Sequence, residues 1–103
     1  MNLKGTLPAL VLEVVAREPN HGYRIAQEIK ARSGGVLDFK EGTLYPALHK
    51  LERDGLVTSF EGDEAGRTRR YYRITEAGGA ALVKEREEWQ QVSRSVSMIL
   101  KEA

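Results

Sequence analysis

The sequence predicts a mainly α-helical fold that carries one small β-hairpin. Apolar residues recur at helical spacing in four segments, and two short β-rich runs lie between the third and the fourth of them. Glycine and proline mark the junctions between these segments. With 103 residues, 41% of them hydrophobic, the chain has the length and composition of a single domain with one modest core.

The first predicted helix covers residues 6–17 and presents one apolar stripe. Its apolar residues are spaced three and four apart: Leu7, Leu10, Val11, Val14 and Val15. Pro19 ends this helix, because proline cannot continue the helical hydrogen-bond ladder. A second helix is expected to start near His21-Gly22-Tyr23, with His21 in a turn or cap position and Tyr23 in the core, and to stop at a pair of glycines.

The third predicted helix, residues 42–55, has an inner apolar face and an outer polar face. Thr43 is expected to cap its N-terminus, which places Pro46 in the first turn, where no backbone N–H is lost from a hydrogen bond. One side carries Leu44, Ala47, Leu48 and Leu51, and the other side carries Pro46, His49, Lys50 and Arg53. One face is therefore expected to pack and the other to bind a partner.

Residues 56–60 and 68–74 are predicted to pair as a β-hairpin. The polar residues 61–66 are interpreted as a loop longer than a two-residue turn, so we expect a mobile, projecting tip. Charge is unevenly distributed there: Glu61, Asp63 and Glu64 come first, and Arg67, Arg69, Arg70 and Arg73 follow without an acid between them. The arginines form either a solvated strand face or a surface for an anionic partner.

A final helix is predicted from its cap, Thr75, to about Lys101. The chain is accordingly divided into a domain of residues 1–74 and a C-terminal helical segment of residues 75–103. Its apolar residues follow a seven-residue frame that Glu85 interrupts: Leu82, Trp89, Val92, Val96 and Ile99. The frame is too short for an independent coiled coil. We therefore expect this long C-terminal dimerisation helix to pack against both the domain and a second copy of the chain.

Three short helices, a hairpin and a long helix follow the order of a winged helix-turn-helix domain. In that arrangement the third helix enters the major groove of DNA, and the hairpin, called the wing, contacts the flanking backbone. Suitable groups are present in both places: Thr43, Tyr45, His49, Lys50 and Arg53 on the helix, and Arg67, Arg69 and Arg70 on the wing. The residues thus predict a domain that binds double-stranded DNA.

Several short motifs resemble those of the PadR family of transcriptional regulators in order and spacing. They are His21-Gly22-Tyr23, the run Gly42-Thr43-Leu44-Tyr45-Pro46-Ala47-Leu48, Leu51-Glu52, Gly55-Leu56, and Gly66-Arg67 ahead of Tyr71-Tyr72. The resemblance implies a homodimer that binds a palindromic operator. It places Thr43, Tyr45 and Pro46 at DNA and Arg67 on the wing. It also implies a repressor that a small molecule or another signal releases.

Two features depart from the family pattern. The residues Phe39-Lys40-Glu41 stand where many members carry Trp or Pro before the motif. The chain also ends after one C-terminal helix, which resembles a short subgroup of the family. In that subgroup, dimerisation is expected to depend on the last helix and on the first.

Trp89 has two interpretations. In the first, it is an aromatic core residue of the dimer interface, together with Val92, Val96 and Ile99. In the second, it forms a wall of an effector pocket, since the resemblance to short PadR-like regulators implies that flat aromatic compounds bind between subunits near such a ring. The sequence leaves both interpretations open.

Several function classes find no support in the sequence. The chain has no cysteine, no glycine-rich phosphate loop and no carboxylate pair that local spacing would bring to a His or Lys, so neither an enzyme nor a cofactor is expected. His21 and His49 are too isolated for a metal site. No apolar run approaches the ~20 residues of a membrane span, so we expect a cytoplasmic protein without membrane contact.

Two alternatives to a sequence-reading regulator stay open. A winged-helix protein-interaction module would be expected to show an apolar patch on the third helix. A nonspecific DNA-binding protein would show a steep salt dependence and little preference between sequences. The formal net charge of +1 does not decide between these classes.

Overall fold

Four helices and a three-stranded antiparallel sheet are seen in the computed structural model, which describes residues 5–101. In chain order the elements are α1 (Leu7–Arg17), β1 (Asn20–His21), α2 (Gly22–Arg32), α3 (Glu41–Arg53), β2 (Val57–Glu64), β3 (Arg67–Ile74) and α4 (Glu76–Leu100). The mainly α-helical fold, the small hairpin and the winged helix-turn-helix order are therefore confirmed.

The hydrophobic core surrounds α1. Val11, Leu12 and Val15 are each at most 2% exposed, and the helix contacts α2, α3, α4 and β3. The other buried members of the core lie on or beside these elements: Leu7, Val14, Ile25, Ile29, Leu44, Leu48, Leu51, Val57, Tyr72 and Leu82. Each fully buried side chain of this kind contributes about 1.5–3 kcal/mol of hydrophobic free energy. The apolar stripes predicted for the first and the third helix are core faces.

The sheet is larger than the predicted hairpin, because β1 pairs with β3 and makes the strand order β1-β3-β2. Asn20 lies opposite Tyr72, and His21 lies opposite Tyr71. The sequence predicts only a turn here, since two residues are too few to show an alternating pattern. Because β1 leads directly into α2, it fixes the start of that helix beside the hairpin.

The hairpin differs from the prediction in the length of its loop. β2 extends to Glu64 and β3 begins at Arg67, so only Ala65 and Gly66 form the turn. Both have positive φ, 51° and 79°, as a type I′ turn requires, and this turn matches the right-handed twist of paired strands. The longer loop predicted from composition is therefore wrong.

α3 begins earlier than predicted. Its first residue is Glu41, and Lys40 is the N-cap, with φ −84° and ψ 163°. The predicted cap, Thr43, is instead the third helical residue, and Pro46 lies beyond the first turn, inside the helix. The helix dipole favours a carboxylate in the first turn, which is consistent with a start at Glu41. Pro46 leaves the exposed Gly42 carbonyl without its usual i+4 donor.

α4 begins as predicted, with Thr75 as its cap, and comprises 25 residues. The Thr75 hydroxyl accepts a hydrogen bond from the Gly78 N–H at 3.0 Å and donates one to the Gly55 carbonyl at 2.7 Å. Leu82 packs into the core, whereas residues 83–100 are exposed. The distal part of α4 therefore lengthens the molecule, which measures 57 Å along its longest axis.

The start of α4 offers a test of this packing, because two adjacent glycines differ in their surroundings. A Cβ on Gly78 would lie 2.0 Å from the Leu56 carbonyl oxygen, whereas a Cβ on Gly79 would meet no atom of another described element within 4 Å. Gly78→Ala should lower the free energy of unfolding by about 1–3 kcal/mol. Gly79→Ala should raise it by about 0.5–1 kcal/mol, since alanine favours the helix. Urea unfolding followed by circular dichroism measures both changes, and equal effects would contradict this close packing.

Candidate nucleic-acid interface

The outer face of α3 presents polar and cationic side chains to solvent. Pro46, His49, Lys50 and Arg53 are all exposed, while the three leucines of the inner face are at most 4% exposed. Lys50 Nζ lies 2.8 Å from Asp54 Oδ2, one helical turn away. An exposed pair of this type contributes little to stability, so Lys50 can exchange Asp54 for another acceptor at small cost.

Tyr45 marks the border between this outer face and the core. It is partly buried, as is Thr43, and its ring lies against Gly22 of α2. A Cβ on Gly22 would stand 2.8 Å from the Tyr45 hydroxyl oxygen and 2.9 Å from two ring carbons, so a larger residue would displace the ring. On the other side, the His49 ring is centred 6.4 Å from the Tyr45 ring. The His21-Gly22-Tyr23 and Gly-Thr-Leu-Tyr-Pro motifs therefore contact each other and fix α2 against α3.

The wing presents two arginines that keep their charge available. Arg67 and Arg70 have exposed side chains on β3, and the ion pairs formed among residues 5–101 include neither of them, nor Arg53 of α3. Arg73, nearer the body, places its guanidinium carbon 4.6 Å from the centre of the Phe60 ring. Free cations thus lie on both surfaces that the sequence assigns to DNA.

Arg69 occupies a different environment from the other wing arginines. Its side chain is 29% exposed, and its Nε lies 3.7 Å from Glu64 Oε2. Its guanidinium carbon is 5.9 Å from the centre of the Tyr23 ring, and its buried Nε has no hydrogen-bond partner among the described residues. The core position predicted for Tyr23 is wrong: the side chain is 52% exposed, because the buried face of α2 is the opposite one, with Ile25 and Ile29.

Glu64, at the end of β2, is the centre of a charged cluster that the sequence does not reveal. Its Oε2 accepts a hydrogen bond from His21 Nε2 at 2.5 Å, and its Oε1 accepts one from Arg24 Nη2 at 2.6 Å. His21 Nδ1 accepts from the Arg24 backbone N–H at 3.3 Å, so the ring proton is on Nε2. This confirms the predicted cap role of His21. The Glu64 and His21 positions are 43 residues apart, and no local pattern links them.

The surroundings of Glu64 keep its carboxyl group ionised. The hydrogen bond from His21 and the positive charge of Arg24 hold the pKa of Glu64 below its ordinary value of 4.5, and partial burial opposes this shift. Arg69 adds a smaller attraction in the same direction. At neutral pH a negative charge therefore lies between the wing and the N-terminus of α2.

The distal part of α4 exposes an apolar ridge, formed by Trp89, Val92, Val96 and Ile99. Their side chains are 43%, 49%, 44% and 81% exposed. Between α1 and α4 the structure also contains a groove of about 760 Å³, which Trp89 and Val92 line on one side and α1 lines on the other. An ion pair between Arg86 of α4 and Glu13 of α1 crosses this region. The four predicted dimer or effector residues thus share one continuous surface.

Two further properties of the described residues bear on other functions. Within residues 5–101, no group of three acidic or histidine side chains is placed to hold a metal ion. In the same part of the chain, no helix combines the length and the apolar character that crossing a membrane demands.

Comparison with known proteins identifies the family. Residues 11–84 match the model of the transcriptional regulator PadR-like family. A transcriptional regulator of Mycobacterium tuberculosis is 41% identical over 86 residues, which cover 84% of this chain and 78% of that protein.

Solved structures of regulators share the fold. That of a transcriptional regulator from Clostridium thermocellum aligns with a TM-score of 0.88 at 29% identity, covering 96% of this chain and 94% of that one. A PadR family transcriptional regulator from Eggerthella lenta aligns with a TM-score of 0.80 at 32% identity, covering 97% and 86%. The chain therefore belongs to the PadR-like family, whose members are transcriptional regulators and not enzymes.

Proposed function

We propose that the protein is a sequence-specific DNA-binding repressor that binds a palindromic operator as a homodimer and responds to a ligand. The observation that carries this proposal is the two-sided character of α3, whose leucines lie in the core while Pro46, His49, Lys50 and Arg53 face solvent. A helix that is anchored on one side and polar on the other suits the major groove, which admits a helix and displays donors and acceptors. Membership of the PadR-like family supports this function.

The two cationic surfaces have different tasks in this proposal. Arg67 and Arg70 of the wing neutralise phosphates, which positions the protein without reading sequence. Lys50 reads guanine, and Thr43 contacts a thymine methyl group or a phosphate at the α3 N-terminus, where the helix dipole favours negative charge. Tyr45 acts mainly through its contact with α2, which holds Thr43 and Lys50 in place.

The second copy of the chain binds along α4. The apolar ridge of Trp89, Val92, Val96 and Ile99 is exposed in one protomer, and soluble monomers rarely expose a contiguous apolar surface of this type. Pairing of two such ridges removes them from water. The resulting dimer presents two α3 helices about 34 Å apart, one turn of DNA, and so accounts for a palindromic operator.

The groove between α1 and α4 is the proposed effector site. Its volume of about 760 Å³ falls within the ~300–1,000 Å³ that small-molecule sites occupy. Leu10, Leu37 and Leu82 provide apolar walls, and Trp89 provides a flat aromatic surface. A planar aromatic compound that binds more tightly to an arrangement of the two α4 helices that does not fit DNA shifts the dimer toward that arrangement. The free energy of the shift cannot exceed the difference between the compound's binding free energies in the two arrangements.

A protein-interaction module is the second candidate function. Such a module would use an apolar patch on α3, but the exposed large hydrophobic residues of the described chain lie on α4, on α2 and in the loop at Val36, and none lies on α3. The face that meets DNA in this fold is therefore poorly suited to a protein partner.

Fluorescence anisotropy with the upstream DNA of its own gene and with a scrambled duplex tests the proposed function. The wild-type protein should bind the upstream DNA more tightly than the scrambled duplex at about 150 mM salt. Arg67→Ala and Arg70→Ala should weaken binding to both duplexes alike, and each should reduce the slope of log affinity against log salt by about 1 per protomer, which is about 2 for the dimer. Lys50→Ala should instead reduce discrimination between the duplexes by about 1–3 kcal/mol.

Two outcomes would contradict sequence-specific DNA binding, and a third would contradict the division of tasks between α3 and the wing. Equal, weak binding of wild type to both duplexes, lost as salt rises, indicates a nonspecific DNA-binding protein. Absence of binding at low salt as well indicates the protein-interaction module. If Lys50→Ala and the arginine variants weaken binding identically on every sequence, the division between reading and positioning is wrong.

A charge on the apolar ridge tests the dimer. Val96→Glu should convert the dimer to monomer in sedimentation velocity, because it places carboxylates in the apolar interface. The same substitution should lower affinity for a two-half-site operator but leave half-site binding unchanged. Val83→Glu is the matched control, since Val83 is also exposed on α4, at 53% against 44% for Val96, but lies outside the seven-residue frame. A Val96→Glu protein that remains a dimer with unchanged operator affinity would overturn this interface.

A further inference from the structure

The three acidic residues of β2 have different surroundings. Glu61 is exposed and lies opposite Arg70 across the hairpin. Asp63 is exposed and accepts a hydrogen bond from the Thr68 hydroxyl at 3.1 Å. Glu64 alone turns toward the body, where its carboxylate meets α2.

The outer half of the hairpin has few other attachments to the body. The inner half is anchored by Val57 and Tyr72 in the core and by the pairing of β1 with residues 71 and 72. The core cluster includes no residue between 58 and 71. An isolated two-stranded ribbon is only marginally stable and twists more strongly than a wider sheet, so the orientation of the wing depends on contacts beyond the core.

The Glu64 carboxylate supplies such contacts for the outer half with both oxygens, whereas nearer the body the Ser59 hydroxyl of β2 donates a hydrogen bond to Glu52 of α3. Oε2 binds the ring of His21, which is 3% exposed, at 2.5 Å, and Oε1 binds Arg24 at 2.6 Å. Arg69 of β3 approaches the same carboxylate at 3.7 Å and covers the Tyr23 ring. Residues of β1, α2 and β3 thus converge on one charge of β2.

We propose that Glu64 is a positioning residue for operator binding, which holds the wing at a fixed distance and angle from α3 through His21, Arg24 and Arg69. The inference rests on the proposed function of sequence-specific DNA binding. The path from wing to reading helix is short, because His21 precedes Gly22, and Gly22 lies against the Tyr45 ring of α3. Wing and α3 then meet DNA as one preformed surface, and less conformational freedom is lost on binding.

Simple electrostatics makes the opposite prediction about Glu64. A carboxylate next to a DNA-binding surface repels phosphates, and it also occupies Arg24 and Arg69, which could otherwise bind phosphates themselves. On charge alone, removal of Glu64 should therefore increase affinity for any DNA. The sign of the effect separates positioning from simple repulsion.

The experiment compares Glu64→Gln with the matched control Glu61→Gln, since each removes one negative charge from β2 while keeping the side-chain length. Both proteins are titrated with operator DNA across a series of salt concentrations, under conditions where circular dichroism shows both to be folded. Glu61→Gln should bind slightly more tightly than wild type. Glu64→Gln should bind more weakly, by about fivefold at 150 mM salt for each phosphate that the wing no longer neutralises, and its salt slope should fall by about 1 for each such phosphate.

The salt slope distinguishes positioning from a general loss of structure. A variant that is only partly folded binds DNA through its remaining folded molecules, and these neutralise the same number of phosphates and keep the wild-type slope. If Glu64→Gln binds as tightly as Glu61→Gln or more tightly, Glu64 is a competitor for the arginines and the proposal is wrong. If Glu64→Gln weakens binding with an unchanged slope, the binding of phosphates by the wing does not depend on Glu64, and the proposal is equally wrong.

A second measurement, without DNA, tests the cluster itself. Because the folded protein holds the pKa of Glu64 below 4.5, the ionised carboxylate stabilises the fold above that pH, and this stabilisation is lost as pH falls through the lowered pKa. The urea midpoint of wild type should exceed that of Glu64→Gln at pH 6, and the difference should close as the pH falls below 4.5. Equal midpoints at pH 6 would show that the cluster does not hold the wing.

The two measurements separate the proposals. Wild-type protein that fails to distinguish operator from scrambled DNA overturns the proposed function, whatever the urea midpoints show. Wild-type protein that reads the operator, together with a Glu64→Gln variant that behaves like Glu61→Gln, overturns only the role of Glu64.

Discussion

Burial of α1 is the constraint on which the rest of the structure depends. Val11 is fully buried, and the helix that carries it contacts α2, α3, α4 and β3. Leu48 of α3 and Leu82 of α4 therefore belong to one core cluster. Because closely packed side chains transmit displacement, a change in the angle of α4 is passed through α1 to α3. In the proposed function, α3 reads DNA and α4 assembles the dimer, so a single helix, α1, would couple the two.

The sequence predicts the parts of the fold that depend on local chemistry. The bounds of α1, α2 and α4 follow from apolar spacing and from caps such as His21 and Thr75, and the structure confirms them. The errors at the hairpin turn and at β1 arise where pairing with another strand decides. Alanine rarely adopts positive φ, but pairing of the flanking strands forces Ala65 into a two-residue turn that requires it. The two residues of β1 are a strand only because β3 lies beside them.

The candidate site shows the same division. Periodicity alone identifies Lys50 and Arg53 as outward residues of α3, and both are exposed. The clustering of positive charge also groups Arg67, Arg69 and Arg70 as equivalent, but the structure separates them, because Arg69 faces Glu64 and Tyr23. Which cation is free and which is held depends on tertiary packing. Sequence reasoning finds the residue types of the interface but not their partners.

The small net charge of +1 determines how such a protein could select an operator. Glu61 and Glu64 lie opposite Arg70 and Arg67 across the hairpin, so the field of the wing is weak beyond a Debye length. Nonspecific affinity grows with the number of phosphates neutralised, and few free cations per protomer keep it low. Specific binding would then require two protomers on two half-sites. Because the dimer joins the protomers, binding of the first raises the effective concentration of the second at its own half-site. In the proposed dimer, weak charge would favour a high ratio of specific to nonspecific binding, and occupancy of the operator would depend on the geometry of α4.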